Sequence, residues 1–299
     1  TLYGGDAMGG VVQMLTPEID FDGNDWQWDG RLRAIAASAD DSLIGRAQVK
    51  GGREGVGFSL GLTSQEVNDL RAGDGRTRPF TGFTQRSADF KWQADIAPGH
   101  ELMLSLQFSE QPRTPRHDAL VPGFGQTAPE NAVFFFEPQQ RRFAQLRWRI
   151  DGPNRMFDNA EFHLGRQVVV DDRRLRDTGS PNLDRERNRD ATTGLSGQFG
   201  KDIGSEHHLS YGFEYYRDDV EAAKTRTNIV TGATGTRAPR FPDGSRMDGW
   251  AVYIGDDWRS GRFDINYGAR YSRFDISIPA LGTTPGVSLK PDDLTGNVG

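Results

Sequence analysis

The stretch Arg262–Ser272, RFDINYGARYS, sets Phe263, Ile265, Tyr267, Ala269 and Tyr271 at alternate positions, with Arg262, Asp264, Asn266, Gly268, Arg270 and Ser272 between them. Successive side chains of a β-strand leave opposite faces, so this segment reads as a strand with one apolar and one polar side. The pattern recurs. Leu102, Leu104, Leu106 and Phe108 alternate with Glu101, Met103, Ser105 and Gln107, and Leu209, Tyr211, Phe213 and Tyr215 alternate with Ser210, Gly212 and Glu214. Ala88–Ala94, Ala144–Ile150 and Ala160–Gly165 repeat it, and Trp28–Ala37, Leu43–Lys50, Gly55–Thr63, Thr192–Gly200 and Trp250–Asp257 are further candidates. About eleven strands result, several bounded by Trp or Tyr.

Two architectures share this two-sidedness, a soluble antiparallel sandwich and a membrane barrel. No run approaches the ~20 apolar residues of a membrane helix, whereas a barrel strand needs only about 9 to 11. Connection lengths separate the two. Short turns are expected at Gly51–Glu54, Pro98–His100, Asp151–Arg155, Asp202–Glu206 and Arg259–Gly261, and long loops near 64–85, 109–140, 167–190 and 217–248. Short turns at one end and long loops at the other favour the barrel, because a compact sandwich rarely carries a long loop after every second strand.

Composition agrees. The chain has 299 residues with 37 Gly, 10% aromatics and a net charge of −6, with a mean hydropathy of −0.65 and pI near 5.5. It has no cysteine, which excludes a disulfide framework and thiolate-bound metals. The acidic balance argues against a nucleic-acid partner, which needs a basic surface.

Catalytic and metal patterns fail on context. GFSLG, Gly57–Gly61, matches a nucleophile elbow, but Ser59 lies inside an alternating strand with no helix after it. DFDGND, Asp20–Asp25, has its Gly at the wrong position for a calcium loop and no closing Glu. His163, His207 and His208 have no second ligand at metal spacing. The reading is therefore of no enzyme, no resident metal and no cofactor. DDRRLRDTGSPNLDRERNRD, from Asp171, reads as a solvated loop of mixed charge.

The opening stretch LYGGDAMGGVVQMLT, Leu2–Thr16, has no nucleotide-loop spacing. Its Tyr3, Gly4, Ala7, Gly9, Gly10 and Val11 resemble the run that closes the plug of TonB-dependent outer-membrane receptors just before their barrel. PRFPDGSRMDGWAVYIGDDW (Pro239–Trp258), YGARYSRFDI (Tyr267–Ile276), the terminal LTGNVG and FEPQQRRFAQLRW (Phe136–Trp148) resemble barrel segments of the same family, in order along nearly the whole chain.

The resemblance implies an all-β fold, an antiparallel transmembrane barrel of which this is a part. Residues 1–25 would be the end of the plug and its link, and 26–299 the first half of a barrel of about 22 strands. A signal peptide, energy-coupling box and most of the plug would precede Thr1, and further strands follow Gly299. It implies energy-coupled uptake of a scarce ligand across the outer membrane, with the TonB complex and outer-membrane lipid as partners. A ferric siderophore is the first cargo to consider, then haem, with cobalamin or a glycan behind. The rival function is a passive porin or a smaller structural or adhesive barrel.

Ligand contacts are expected on the long loops, where Arg113, Arg116 and His117 precede Phe134, Phe135 and Phe136. Guanidinium groups and aromatic rings suit an aromatic, anionic ligand, while the same phenylalanines also suit plain packing of the loop. Arg147, Arg149, Asp264 and Arg270 fall on the polar face, where they would meet the plug or simply form a wetted lumen wall.

Overall fold

The computed structural model describes residues 19–299, so the plug-like run Tyr3–Val11 and most of the expected plug end lie outside the described residues. The strands are β1 (Gln27–Ala37), β2 (Ser42–Arg53), β3 (Val56–Val67), β4 (Phe83–Ala97), β5 (His100–Gln111), β6 (Thr114–Pro115), β7 (Asn131–Asp151), β8 (Asn159–Asp177) and β9 (Asn182–Ile203). They continue as β10 (His207–Asn228), β11 (Thr234–Arg237), β12 (Ser245–Ser260), β13 (Phe263–Ile278), β14 (Val287–Leu289) and β15 (Asp292–Val298). One short helix, α1 (His117–Leu120), interrupts them.

All fifteen strands form one sheet with every pairing antiparallel. The eleven expected strands are its wall, in sequence order. The segment that begins at LTGNVG adds the next position, because β14 and β15 both pair with β13 at successive heights. No pairing joins β1 to β15 among the described residues, so the wall is an open part of a barrel.

Alternation fixes which side chains share a face, and the two faces differ in kind. Arg46 on β2 reaches Asp89 on β4 across β3, at 2.7 Å, and Arg270 on β13 reaches Glu214 on β10 across β12, at 2.6 Å. Side chains two strands apart meet only where the sheet curls toward them, since adjacent strands are about 4.8 Å apart. The polar face is therefore the concave, inner one. The first pair passes over Gly61, where an added Cβ would stand 2.7 Å from Asp89 Oδ1.

The outer face leaves large apolar groups uncovered. Leu62 is 55% exposed, Leu164 51% and Val252 48%. Such a continuous apolar surface suits lipid rather than water. Near the short-turn ends it is bounded by rings in contact: Trp26, Trp28 and Phe58, Trp148, Phe162, Phe199 and Tyr211, and His207 on Trp258.

The short turns lie where expected, with Gly55 (φ 74) and Gly99 (φ 71) in two of them supplying a backbone conformation that L side chains rarely adopt. The long loops differ. β8 and β9 run to Asp177 and from Asn182, so the expected loop 167–190 is a strand hairpin with only residues 178–181 at its tip. β10 likewise extends to Asn228, and Phe134–Phe136 belong to β7. These segments lack the apolar outer face of the lower wall, yet their ladder continues unbroken between β9 and β10 from Ile203–His207 to Asn182–Asn228. Strands β7–β10 thus rise well above β1–β5 at the loop end.

Candidate functional site

The inner wall is lined by coupled polar groups. Arg147 donates to Glu101 at 2.5 Å, and Gln93 donates to the other oxygen of Glu101 at 2.7 Å. Glu161 lies 3.6 Å from Arg149 and 2.6 Å from His163 Nε2, whose Nδ1 faces Gln145 at 3.1 Å. The structure thus gives Arg147, Arg149 and Arg270 carboxylate partners on the barrel wall itself. Arg147 Nε and Gln93 Oε1 are buried without a partner. Asp264 sits apart, exposed at the short-turn end and 3.2 Å from Arg259.

Ile19 and Phe21, in the segment that leads into β1, lie inside this wall. A Cβ at Gly57 would meet Ile19 at 2.5 Å, and one at Gly52 would collide with Phe21. The close approach of chain to sheet needs glycine at both places.

At the loop end the tall strands build a cap. Phe134 and Phe136 stand opposite Leu175 and Arg173 of β8. Ala119 and Leu120 of α1 close over Phe134, which is only 7% exposed, with Phe135, Phe136 and Leu175 packed around. Arg116 lies over the Phe134 ring at 4.9 Å and is paired with Asp118 at 2.9 Å. That pair holds the Asp118 carboxyl below its ordinary value. Arg113 lies over Phe135 at 3.9 Å, and His117 Nδ1 is 2.7 Å from the carbonyl of Pro79, joining this loop to the one between β3 and β4.

All six expected contact residues therefore gather in one cap, but in different settings. Phe134 is core, Arg113 is exposed, and Arg116, His117, Phe135 and Phe136 are half-buried.

A charged cluster missed in the sequence lies on the same inner face. Asp184 accepts two bonds from Arg226, at 2.6 and 2.7 Å, and Lys224 bridges Asp184 and Glu186 at 2.9 Å each. Burial alone would raise the Asp184 carboxyl, but its cationic donors hold it below the ordinary value, and the Glu186 and Asp184 carboxylates raise Lys224 against its own burial. The signal was present. In Asp184-Arg185-Glu186-Arg187-Asn188 the acids and the amide alternate with arginine, and the structure buries the first set and exposes the second. A solvated loop was the wrong reading of these residues.

Residues 25–299 match the family model described as TonB dependent receptor-like, beta-barrel. No curated protein matches. Among solved structures, the copper transporter OprC superposes with a TM-score of 0.72 at 13% identity, covering 95% of this chain and 44% of that one. The FrpB iron transporter from Neisseria meningitidis (F3-3 variant) gives 0.67 at 15%, covering 91% and 43%. The unliganded ferric citrate transporter FecA gives 0.66 at 16%, covering 99% and 45%. The chain spans less than half the length of these structures, and at such identities the likeness concerns the fold.

Proposed function

The chain belongs to the TonB-dependent receptor family through its β-barrel domain, and from that premise we propose that the protein is an outer-membrane receptor for energy-coupled uptake of a scarce ligand. Residues 1–25 are the end of a plug and its link, and 26–299 the first half of the barrel wall. The turns face the periplasm and the tall strands face outward. Ile19 and Phe21 inside the wall support the link, and the family match favours this reading over a passive porin.

The observation that carries the proposal is the cap, where Arg116 and Arg173 lie over the inner-facing rings of Phe134 and Phe136 at the mouth of a polar lumen, with Arg113 over Phe135 beside them. Guanidinium groups beside aromatic faces recognise flat, anionic ligands. A ferric siderophore is the first cargo to test, then haem, then cobalamin. Contact would come from Arg113, Arg116, His117, Phe135 and Phe136, while Phe134 holds the cap together. Arg147, Arg149, Asp264 and Arg270 would meet the plug from the lumen wall, and the TonB complex would supply the energy. The protein makes and breaks no bond in its cargo.

The test is titration of the full-length protein with a ferric catecholate siderophore, haem and cobalamin, read by tryptophan fluorescence. The expected result is saturable binding of the siderophore, weakened at least about tenfold by Arg113→Ala with Arg116→Ala, the loss of two charge-assisted contacts. Binding unchanged in that variant would remove the cap as the site. No binding of any of the three would remove the cargo assignment.

A further inference from the structure

The turn between β7 and β8, residues 152–158, is longer than the tight turns that bend at Gly55, Gly99, Gly204 and Gly261, and it bends around an asparagine instead. Gly152 N–H donates to the Asp158 carbonyl at 2.9 Å and Asn154 N–H to the Phe157 carbonyl at 2.8 Å, so the hairpin closes on a tip at 154–157. The Asn154 side chain accepts from the N–H groups of Met156 at 2.8 Å and Phe157 at 3.0 Å. Such a side-chain cap fixes the tip without a glycine.

Three contacts carry this tip onto the outer face of the sheet. Tyr211 Oη donates to the Met156 carbonyl at 2.8 Å, Lys201 Nζ donates to the Asn154 carbonyl at 2.8 Å, and the Phe157 ring lies 5.7 Å from that of Phe199. Register and alternation put Phe199, Lys201 and Tyr211 on the same outer side as Leu164 and Phe213. Phe157 thereby extends the row of rings made by Phe199, Phe162 and Trp148 at the lower border of the apolar face. Met156, beside it, is 69% exposed. The charges at the tip are Lys201 and Asp158, paired with each other at 2.7 Å, and the exposed Arg155.

We propose that this turn is a membrane foot, held against the wall by Tyr211, with Met156 and Phe157 set among the lipid acyl chains of the leaflet on the short-turn side. The inference rests on the membrane-spanning reading above. Continuity selects the occupant, since Phe157, Phe199 and Phe162 touch in succession and whatever covers the apolar face reaches the foot as well. The unbranched thioether of Met156 adapts to an irregular apolar surface. The stem of Lys201 can lie along the same surface while its ammonium stays with Asn154 and Asp158, and Arg155 sets the depth of the tip at the polar boundary.

The test introduces Met156→Cys, Leu164→Cys or Ser205→Cys, each alone, into the full-length protein without other cysteines. The thiol carries an environment-sensitive fluorophore, and the protein is refolded into phosphatidylcholine vesicles with brominated acyl chains, which quench a label in contact with them. Leu164 stands on the apolar face of β8 and Ser205 in the tight turn between β9 and β10. The expected result is quenching at 156 close to that at 164, with the label at 205 left bright. Tyr211→Phe, which removes the donor to the Met156 carbonyl, should lower quenching at 156 and leave 164 unchanged. A label at 156 no more quenched than the one at 205 overturns the foot while the wall stands. An unquenched label at 164 removes the membrane-spanning reading itself, and the foot with it.

Discussion

The lower and upper halves of strands β7–β10 obey opposite burial rules. In the lower half the outer face is apolar, as at Leu146, Leu164 and Phe213, and the inner face carries Arg147, His163 and Glu214. In the upper half the inner face holds the buried groups, Phe134 with Asp184, Glu186 and Asn188, while Arg185 and Arg187 face out. The backbone ladder between β9 and β10 runs through both halves without a break. Period two therefore reports a strand in either half, but which face must be apolar depends on whether lipid or water lies outside it.

The largest expected effect comes from challenging the lower half. Leu104→Arg or Phe213→Arg should cost about 2 to 4 kcal/mol if the site lies near the bilayer midplane, read as the folding equilibrium of the full-length protein into vesicles. The same charge at Thr225, on the outer face of the upper half, should cost under about 0.5 kcal/mol, as exposed surface changes do. Equal costs at the two heights would erase the contrast.

Phe134→Ala tests the upper half's own core. Truncating a buried Phe costs about 3 to 5 kcal/mol in a full core, and the low end is expected here because the cluster is small. Residues 112–130 should become sensitive to protease while vesicle insertion stays unchanged. A loss of insertion would mean that the two halves fold as one unit.

Asp184→Asn removes the acceptor shared by Arg226 and Lys224 and should loosen the tip by about 1 to 3 kcal/mol, the usual result of stripping one partner from a buried set. The pH dependence follows from the shifts. The lowered Asp184 stabilises the tip above the unfolded carboxylate value of about 3.9 and loses that contribution as pH falls through its own lower value. The raised Lys224 stabilises it below about 10.4 and loses its contribution as pH rises through its higher value. Hydrogen exchange at the tip of β9 should therefore quicken at both extremes, and more at the acid one in the natural protein than in Asp184→Asn.

A modest effect is expected at Gly61→Ala, about 1 kcal/mol, since the added methyl displaces the flexible ends of the half-exposed Arg46–Asp89 pair rather than backbone. A cost near that of Leu104→Arg would mean that the pair is rigidly held.

The sequence by itself determined the strands of the lower wall, their two faces, the positions of the tight turns and the family. Each of these is local. Alternation at Arg262–Ser272 and a turn at Pro98-Gly99 can be read within a dozen residues because sterics and solvent act on neighbours in the chain. The tertiary structure decided what local patterns do not contain. It made 167–190 a hairpin and folded α1 over Phe134. It also carried Arg46 to Asp89 across Gly61. Strand register and loop docking depend on residues distant in sequence, and a charged strand facing water has no apolar face to announce it.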